Sequence, residues 1–151
     1  MLFRGAAAFA LLGTSSLAAQ TVPDLTYVMP IAGSWSYAAA SDGSEAVFAD
    51  TSGRPQTWVH CARATRHVTI AKASSAAAPL LNVWTSSQTR SVAASFMPAT
   101  ARLTIDLGAY DPLLDAIANS RGRIGLTAGT PPPLVVPAWA EVARVIEDCR
   151  V

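Results

Sequence analysis

The chain has 151 residues, of which 51% are hydrophobic and 14% charged, and its formal net charge is +1 at pH 7. This composition is typical of a packed globular domain and excludes a disordered chain. The near-zero charge gives no basis for a nucleic acid partner, and the length suits one domain with a real core rather than two.

Residues 1–19 have the three-part pattern of a secretory signal peptide. Arg4 supplies an early positive charge, an apolar run of residues 6–12 follows, and small residues precede a predicted cleavage after Ala18 or Ala19. The apolar run is far shorter than the ~20 residues of a membrane-spanning helix, so a retained anchor is the weaker alternative. We therefore expect an exported protein, in the periplasm or secreted, with no membrane span after cleavage.

Residues 20–33 carry two prolines and no clear period, which predicts an N-terminal leader, and residues 34–151 predict a single β-rich domain. Short alternating runs bounded by turn residues are typical of strands. The Asp42-Gly43 dipeptide predicts a tight hairpin turn with these two residues at its centre. The runs that predict strands are residues 34–40, 44–50, 56–62, 65–71, 80–86, 89–95, 101–107, 122–129 and 134–136.

Two helices are predicted in the C-terminal half. Asp111 followed by Pro112 is typical of a helix N-cap and first turn, and apolar residues then recur at helical spacing. The last helix carries an apolar stripe that begins at Trp139 and ends at Cys149. The fold class predicted is α+β: a mostly antiparallel sheet of about seven to nine short strands with two helices, one of which packs on the sheet.

Two cysteines in an exported chain favour a disulfide over two free thiols, because the compartment is oxidising. The hairpin after residue 62 turns either at residues 63–64 or through residues 63–66, and both registers place Cys61 on the apolar face. Cys149 lies on the apolar stripe of the last helix. We therefore expect a Cys61–Cys149 disulfide that links this helix to the sheet.

The same alternation places Trp58, His60 and His67 on the opposite face. In the register with the two-residue turn the histidines lie directly across from each other, within reach of a shared ion. A structural zinc site needs about four ligands, so two half-exposed strand histidines without a metal are the favoured interpretation. Trp58 on this face is a candidate for contact with a sugar or a partner protein, unless a loop covers it.

Residues 120–123 (SRGR) place Arg121 and Arg123 around a glycine at the end of a predicted helix. They form either a site for a small anion or carboxylate, or a pair of arginines favoured by the negative end of the helix. The sequence has no Gly-x-Ser-x-Gly elbow and no phosphate-binding glycine loop. We therefore predict no catalytic residue, no metal and no cofactor.

Several segments carry a resemblance to a known family. They are GSWSY, WVHCARATRHVTI, LNVWTSSQTR and the ending from residue 120, of which PAWAEVARVIEDCR is the most specific part. Together they resemble a family of small, functionally unassigned exported proteins of Gram-negative bacteria. The resemblance implies export and one β-rich domain, and it transfers no catalytic residue. A looser likeness to exported invasion-associated proteins of the B type, in size, export and strand-borne Trp and Cys, implies no role.

The function we expect is that of a non-enzymatic exported protein that binds another envelope protein or peptide on a sheet face or edge. The alternative is a small hydrolase or small-anion-binding protein that uses His60, His67 and the corner formed by Ser120 to Arg123. The candidate binding surface consists of Trp58, His60, His67, Arg121 and Arg123.

Overall fold

The computed structural model describes residues 22–129 and 132–151, and this part of the chain forms ten strands, two α-helices and one 3₁₀ turn. The predicted signal peptide at residues 1–19 lies outside the described residues. The helices are α1 (Pro112–Ala118) and α2 (Ala140–Asp148). The strands are β1 (Gly33–Ala40), β2 (Gly43–Asp50), β3 (Pro55–Ala62), β4 (His67–Ala73), β5 (Leu80–Trp84), β6 (Thr89–Ala93), β7 (Ser95–Met97), β8 (Arg102–Gly108), β9 (Ile124–Thr127) and β10 (Leu134–Val136).

The strands of the described residues pair antiparallel in two sheets. The first sheet has the order β1-β2-β3-β4-β8-β7 and the second the order β10-β9-β5-β6. Strands β1 to β4 follow one another as hairpins, so neighbours in sequence are neighbours in the sheet. A linker of small residues, 74–79, then leads to β5 and β6 in the second sheet, and the chain returns to the first sheet with β7 and β8.

The α+β class, the two helices and the disulfide between the sheet and the last helix are confirmed. The numbers of strands and of sheets differ from the sequence expectation. The described residues form ten strands in two sheets, because the alternating pattern predicts strands without saying which of them pair. The strand without a counterpart among the predicted runs is β7, whose three residues are too few for an alternating pattern to show.

The predicted hairpin between β1 and β2 is present, but its turn consists of Ser41 and Asp42, and Gly43 already pairs with Ala40. Gly43 is required for a different reason than a turn conformation. A Cβ atom at this position would lie 1.9 Å from the carbonyl oxygen of Cys61 on β3. Glycine therefore permits a close approach of two backbones, which a dipeptide pattern cannot reveal.

One hydrophobic core joins both sheets and both helices. Helix α2 packs on the inner face of β1, β2 and β3, and it buries Val142, Val145 and Ile146. Trp139 does not belong to this stripe, contrary to the sequence expectation, and is 45% exposed. The reason is that Trp139 is the N-cap residue, whose extended backbone turns its side chain out of the helical register.

The leader packs against the second sheet. Leu25 is buried with Trp84 and Val135, and the amide of Ile31 donates a hydrogen bond to the carbonyl of Val135 at 2.9 Å. Leu25 packs directly over Gly125, where the Cβ atom of any other residue would lie 2.1 Å from the Leu25 side chain. Leu25 and Ile31 thus attach the leader to the domain, although most of its other described residues are exposed.

Candidate functional site

The hairpin of β3 and β4 separates the stability residues from the candidate site residues. Its turn takes the four residues 63–66, so Cys61 lies opposite Val68 and Val59 opposite Ile70. The two-residue-turn register is therefore wrong, and His60 lies opposite Thr69 instead of His67. The face assignment holds, because both registers preserve the alternation.

On the inner face, Cys61 and Cys149 form a disulfide with a Cα–Cα distance of 5.4 Å. Both cysteines are buried in the common core. The bond fixes the end of α2 to the centre of the first sheet across 88 residues of sequence. The described residues contain no free cysteine, so no thiol joins the histidines as a nucleophile or metal ligand.

The outer face of the first sheet contains a shallow pocket of about 290 Å³. The bottom of the pocket is formed by small side chains at the centre of this face, on β4 and β8. They are Thr69, Ala71 and Thr104. Larger side chains surround them. They are Glu45, Trp58, His60, Met97 and Arg102, with Thr100 from the 3₁₀ turn. The pocket thus brings two predicted site residues, Trp58 and His60, together.

Trp58 and Arg102 form the most specific contact of the pocket. The guanidinium carbon of Arg102 lies 3.7 Å from the centroid of the Trp58 ring, which is the geometry of a cation–π contact. Trp58 is consequently almost buried, at 9% exposure. The Nε atom of Arg102 is buried and has no hydrogen-bond partner among the described residues.

Arg102 has no acidic partner within the described residues, as is also true of Arg63, Arg66, Arg121, Arg123 and Arg144. What distinguishes Arg102 is its buried, unpaired Nε atom and its position over Trp58 at the pocket. Arg54, Arg90 and Arg150 each form an ion pair with a carboxylate. Arg144 lies over the Tyr37 ring, near Asp148, to which Tyr37 donates a hydrogen bond. A stacked guanidinium without a carboxylate presents its N–H donors in a fixed plane, which suits a carboxylate or another planar anion.

His60 lies at the opposite end of the pocket, between two carboxylates. Its Nε2 atom is 3.0 Å from Oδ2 of Asp42, and its Nδ1 atom is 3.9 Å from Oε2 of Glu45. The hydrogen bond with His60 lowers the pKa of Asp42 below its ordinary value. Both ring nitrogens therefore face acceptors, which favours a role in charge balance over proton abstraction from a substrate.

His67 lies on the same face, at the first position of β4, and outside the pocket. Its Nδ1 atom forms a hydrogen bond with Oδ2 of Asp106, and Thr69 donates to the other oxygen of that carboxylate at 3.3 Å. A histidine oriented by an aspartate is one half of a hydrolytic site. Within residues 22–129 and 132–151, however, no serine hydroxyl forms a hydrogen bond with either histidine ring.

The structure does not bring the SRGR corner to these histidines. Arg123 donates from Nη1 to the carbonyls of Val28 at 2.6 Å and Leu25 at 3.5 Å, so it holds the leader. The hydroxyl of Ser120 donates to the carbonyl of Arg123, and the amide of Arg121 donates to Ser86. This corner is a structural turn beside β9, and only the Arg121 side chain extends freely.

A second pocket of about 460 Å³ lies beside Lys72, near the C-terminal end of β4. Its wall is formed mainly by the small-residue linker, and its only charged lining group is Lys72, whose Nζ donates to the carbonyl of Ala73. Burial lowers the pKa of Lys72. The wall also includes Gly129 and Pro132, which flank the two residues outside the described part. We therefore propose no function for this pocket.

The described residues contain no candidate metal centre, and the comparisons with known proteins found no relative. Among the described residues, no group of three or more His, Cys, Asp or Glu side chains is arranged to hold a metal ion. In the same residues no helix is long and apolar enough to cross a membrane. In comparisons with known proteins, no family model, no curated protein and no solved structure matches the chain.

Sequence reasoning missed Arg102, Glu45 and Asp106 as members of the site. The signal for two of them was present, since alternation along residues 102–107 already places Arg102 and Asp106 on the wet face of a strand. What the pattern lacks is strand order. Only the pairing of β8 with β4 brings Arg102 beside Trp58 and Asp106 beside His67.

Proposed function

We propose that the chain is an exported, disulfide-bonded binding protein of the cell envelope, which binds a carboxylate group of a partner polypeptide in the outer-face pocket. The observation that carries the proposal is the position of Arg102. Its guanidinium is stacked on Trp58, borders the pocket and has no acidic partner among the described residues. Arginine held in this way is preorganised for a bidentate carboxylate.

The remaining side chains of the pocket support a polypeptide as the ligand. Thr100 and Thr104 offer hydroxyl groups near Arg102, and Met97 offers an apolar contact. Glu45 lies at the other end with His60, so a ligand with an amine or amide there meets an acceptor. The pocket is small and shallow, which suits a side chain or chain terminus of a larger partner better than an enclosed metabolite.

The proposal is tested by NMR titration of the mature protein with short model peptides. The first probe is an N-acetylated trialanine with a free C-terminal carboxylate, the second is its C-terminal amide, and the third is an amidated peptide with one internal aspartate. We expect weak, salt-sensitive binding of a carboxylate probe, with shifts at the Trp58 indole N–H and the Arg102 side chain. Binding of the first probe indicates a C-terminal carboxylate as the ligand, and binding of the third indicates an acidic side chain.

Arg102→Gln removes the charge and is expected to abolish these shifts. Arg121→Gln is the matched control, because it removes an exposed arginine in the SRGR turn and leaves the pocket unchanged. Loss of binding in Arg102→Gln alone supports the proposal. Equal binding by both variants, or no shift with any carboxylate probe at millimolar concentration, contradicts it.

The export part of the proposal rests on the pattern of residues 1–19 and on the disulfide. Cell fractionation of a Gram-negative host that expresses the complete chain tests it. We expect the protein in the periplasm or the medium, with an N-terminus at residue 19 or 20 by terminal sequencing. A cytoplasmic protein that retains residues 1–19 contradicts export.

A further inference from the structure

A second surface, independent of the pocket, is the free edge of β1. Strand β1 is an end strand of the first sheet, and its eight residues pair with β2 without a shift in register. Its sequence, GSWSYAAA, has no charged residue and no proline. Within the described residues, the backbone groups of β1 that point away from β2 form no backbone hydrogen bond.

The other three sheet edges are protected by the devices that soluble proteins normally use. Strand β7 has only three residues. Strand β10 also has three, is followed by Pro137, and its central carbonyl accepts a hydrogen bond from the leader. Strand β6 has five residues and carries Arg90 in an ion pair with Asp111. An edge of eight neutral residues without such protection is the exception in this chain.

The side chains of β1 indicate what can occupy the edge. Ser34, Ser36 and Ala38 point to the outer face and are exposed, small and uncharged. On the inner side, Trp35 is held by a hydrogen bond from its indole to the carbonyl of Pro137, and Tyr37 by one to Asp148. Neither aromatic side chain is free to form a specificity pocket for a foreign peptide.

A second copy of the same strand fits this surface. In an antiparallel pair about a two-fold axis, small residues face small residues, serine hydroxyls can hydrogen-bond across, and no like charges meet on the strand. On the inner side, Arg144 on the Tyr37 ring and Asp148 at its hydroxyl are of opposite sign. Glu45 and Asp50 lie one strand further from the edge, on β2. We propose that two copies of the chain pair through their β1 strands to form a homodimer with a continuous sheet.

The two-fold arrangement also explains why one edge can remain unprotected. An isologous contact uses the same edge on both copies and leaves nothing for a third copy, so the assembly closes at two. The other edges are short or charged and give no route to a filament. The dimer thus removes the aggregation hazard that an exposed edge strand otherwise presents.

The test is the mass of the mature protein in solution, measured by light scattering and sedimentation over a concentration series. We expect the mass of two chains, with little dependence on salt. Ser36→Lys places two lysines near the two-fold axis and should shift the mass to that of one chain. Ser95→Lys is the matched control, because Ser95 is an exposed residue on the opposite edge strand of the same sheet.

Hydrogen exchange on the unmodified protein makes the result independent of any folding defect in a variant. The β1 amides that face the free edge should be protected at high concentration and lose protection on dilution, whereas the β1 amides bonded to β2 and the amides of β6 should not change. A monomer at every concentration, a dimer that persists in folded Ser36→Lys, or a dimer lost in Ser95→Lys each overturns the proposal. The dimer and the carboxylate pocket use different residues, so either can fail without the other.

Discussion

The inner and outer faces of β3 and β4 are formed by strands of eight and seven residues, yet the side chains of the two faces differ in kind. The inner face carries Val59, Cys61, Val68 and Ile70, all buried in the core beneath α2. The outer face carries Trp58 and His60 beside a cation and two carboxylates. A period of two therefore places the core residues and the residues of the proposed binding pocket on opposite sides of one hairpin.

The comparison indicates that substitutions on the outer face should disturb the core little. The charged groups of the outer face are partly exposed, and exposed ion pairs contribute little to stability. Burial of apolar area, in contrast, supplies most of the free energy of folding. Substitutions on the two faces should accordingly have very different effects on stability.

The largest effect is expected from loss of the disulfide on the inner face. Cys149→Ser opens a link between residues 88 positions apart, for which the chain-entropy model gives roughly 4 kcal/mol. We expect the melting temperature to fall on the order of 10–20 °C, as measured by calorimetry. Mass spectrometry of the non-reduced parent protein should detect no free thiol. An alkylatable cysteine in the folded parent would contradict the bond.

A matched pair of substitutions on β8 compares the two faces directly. Ile105 is buried in the core, so Ile105→Ala should lower the free energy of unfolding by about 2–5 kcal/mol through lost burial and a cavity. Its neighbour Thr104 faces the pocket and donates one hydrogen bond, to the carbonyl of Ser95. Thr104→Ala should cost less than about 1 kcal/mol. Urea unfolding measures both changes. Equal losses of unfolding free energy in the two variants would contradict the proposed difference between the faces.

Local patterns were enough to predict the face of each residue in this hairpin. Alternation placed Cys61 inward and His60 outward whichever turn was chosen, and the helical period placed Cys149 inward. The disulfide was predicted from these two assignments together with the expected export to an oxidising compartment. The Asp111 N-cap was equally local, and its carboxylate accepts a hydrogen bond from the amide of Leu113 at 2.8 Å.

Contacts between distant segments could not be predicted in the same way. Arg102 reaches Trp58 only because β8 returns from the second sheet to pair with β4. Gly43 avoids a collision with the backbone of β3, and Arg123 holds the leader nearly a hundred residues earlier in the chain. Such contacts depend on strand order and backbone approach, which neither composition nor period encodes.

The smallest effect, and the sharpest probe of the outer face, is the titration of Asp42. The hydrogen bond with His60 lowers the pKa of Asp42 below 3.8. The bond therefore stabilises the fold above about pH 4, and this contribution is lost as pH falls through the lowered pKa. Because Asp42 is exposed, the unfolding midpoint should change very little, so carboxyl NMR is the suitable measurement.

In His60→Ala the pKa of Asp42 should return toward 3.8. Asp24 is an internal control, since Thr26 lowers its pKa through hydrogen bonds that do not involve His60. An unchanged pKa of Asp42 in the variant would show that His60 does not hold this carboxylate. A rise at Asp42 with no change at Asp24 would establish that His60 already has an acidic partner, which leaves Arg102 as the cation of the pocket available to a ligand.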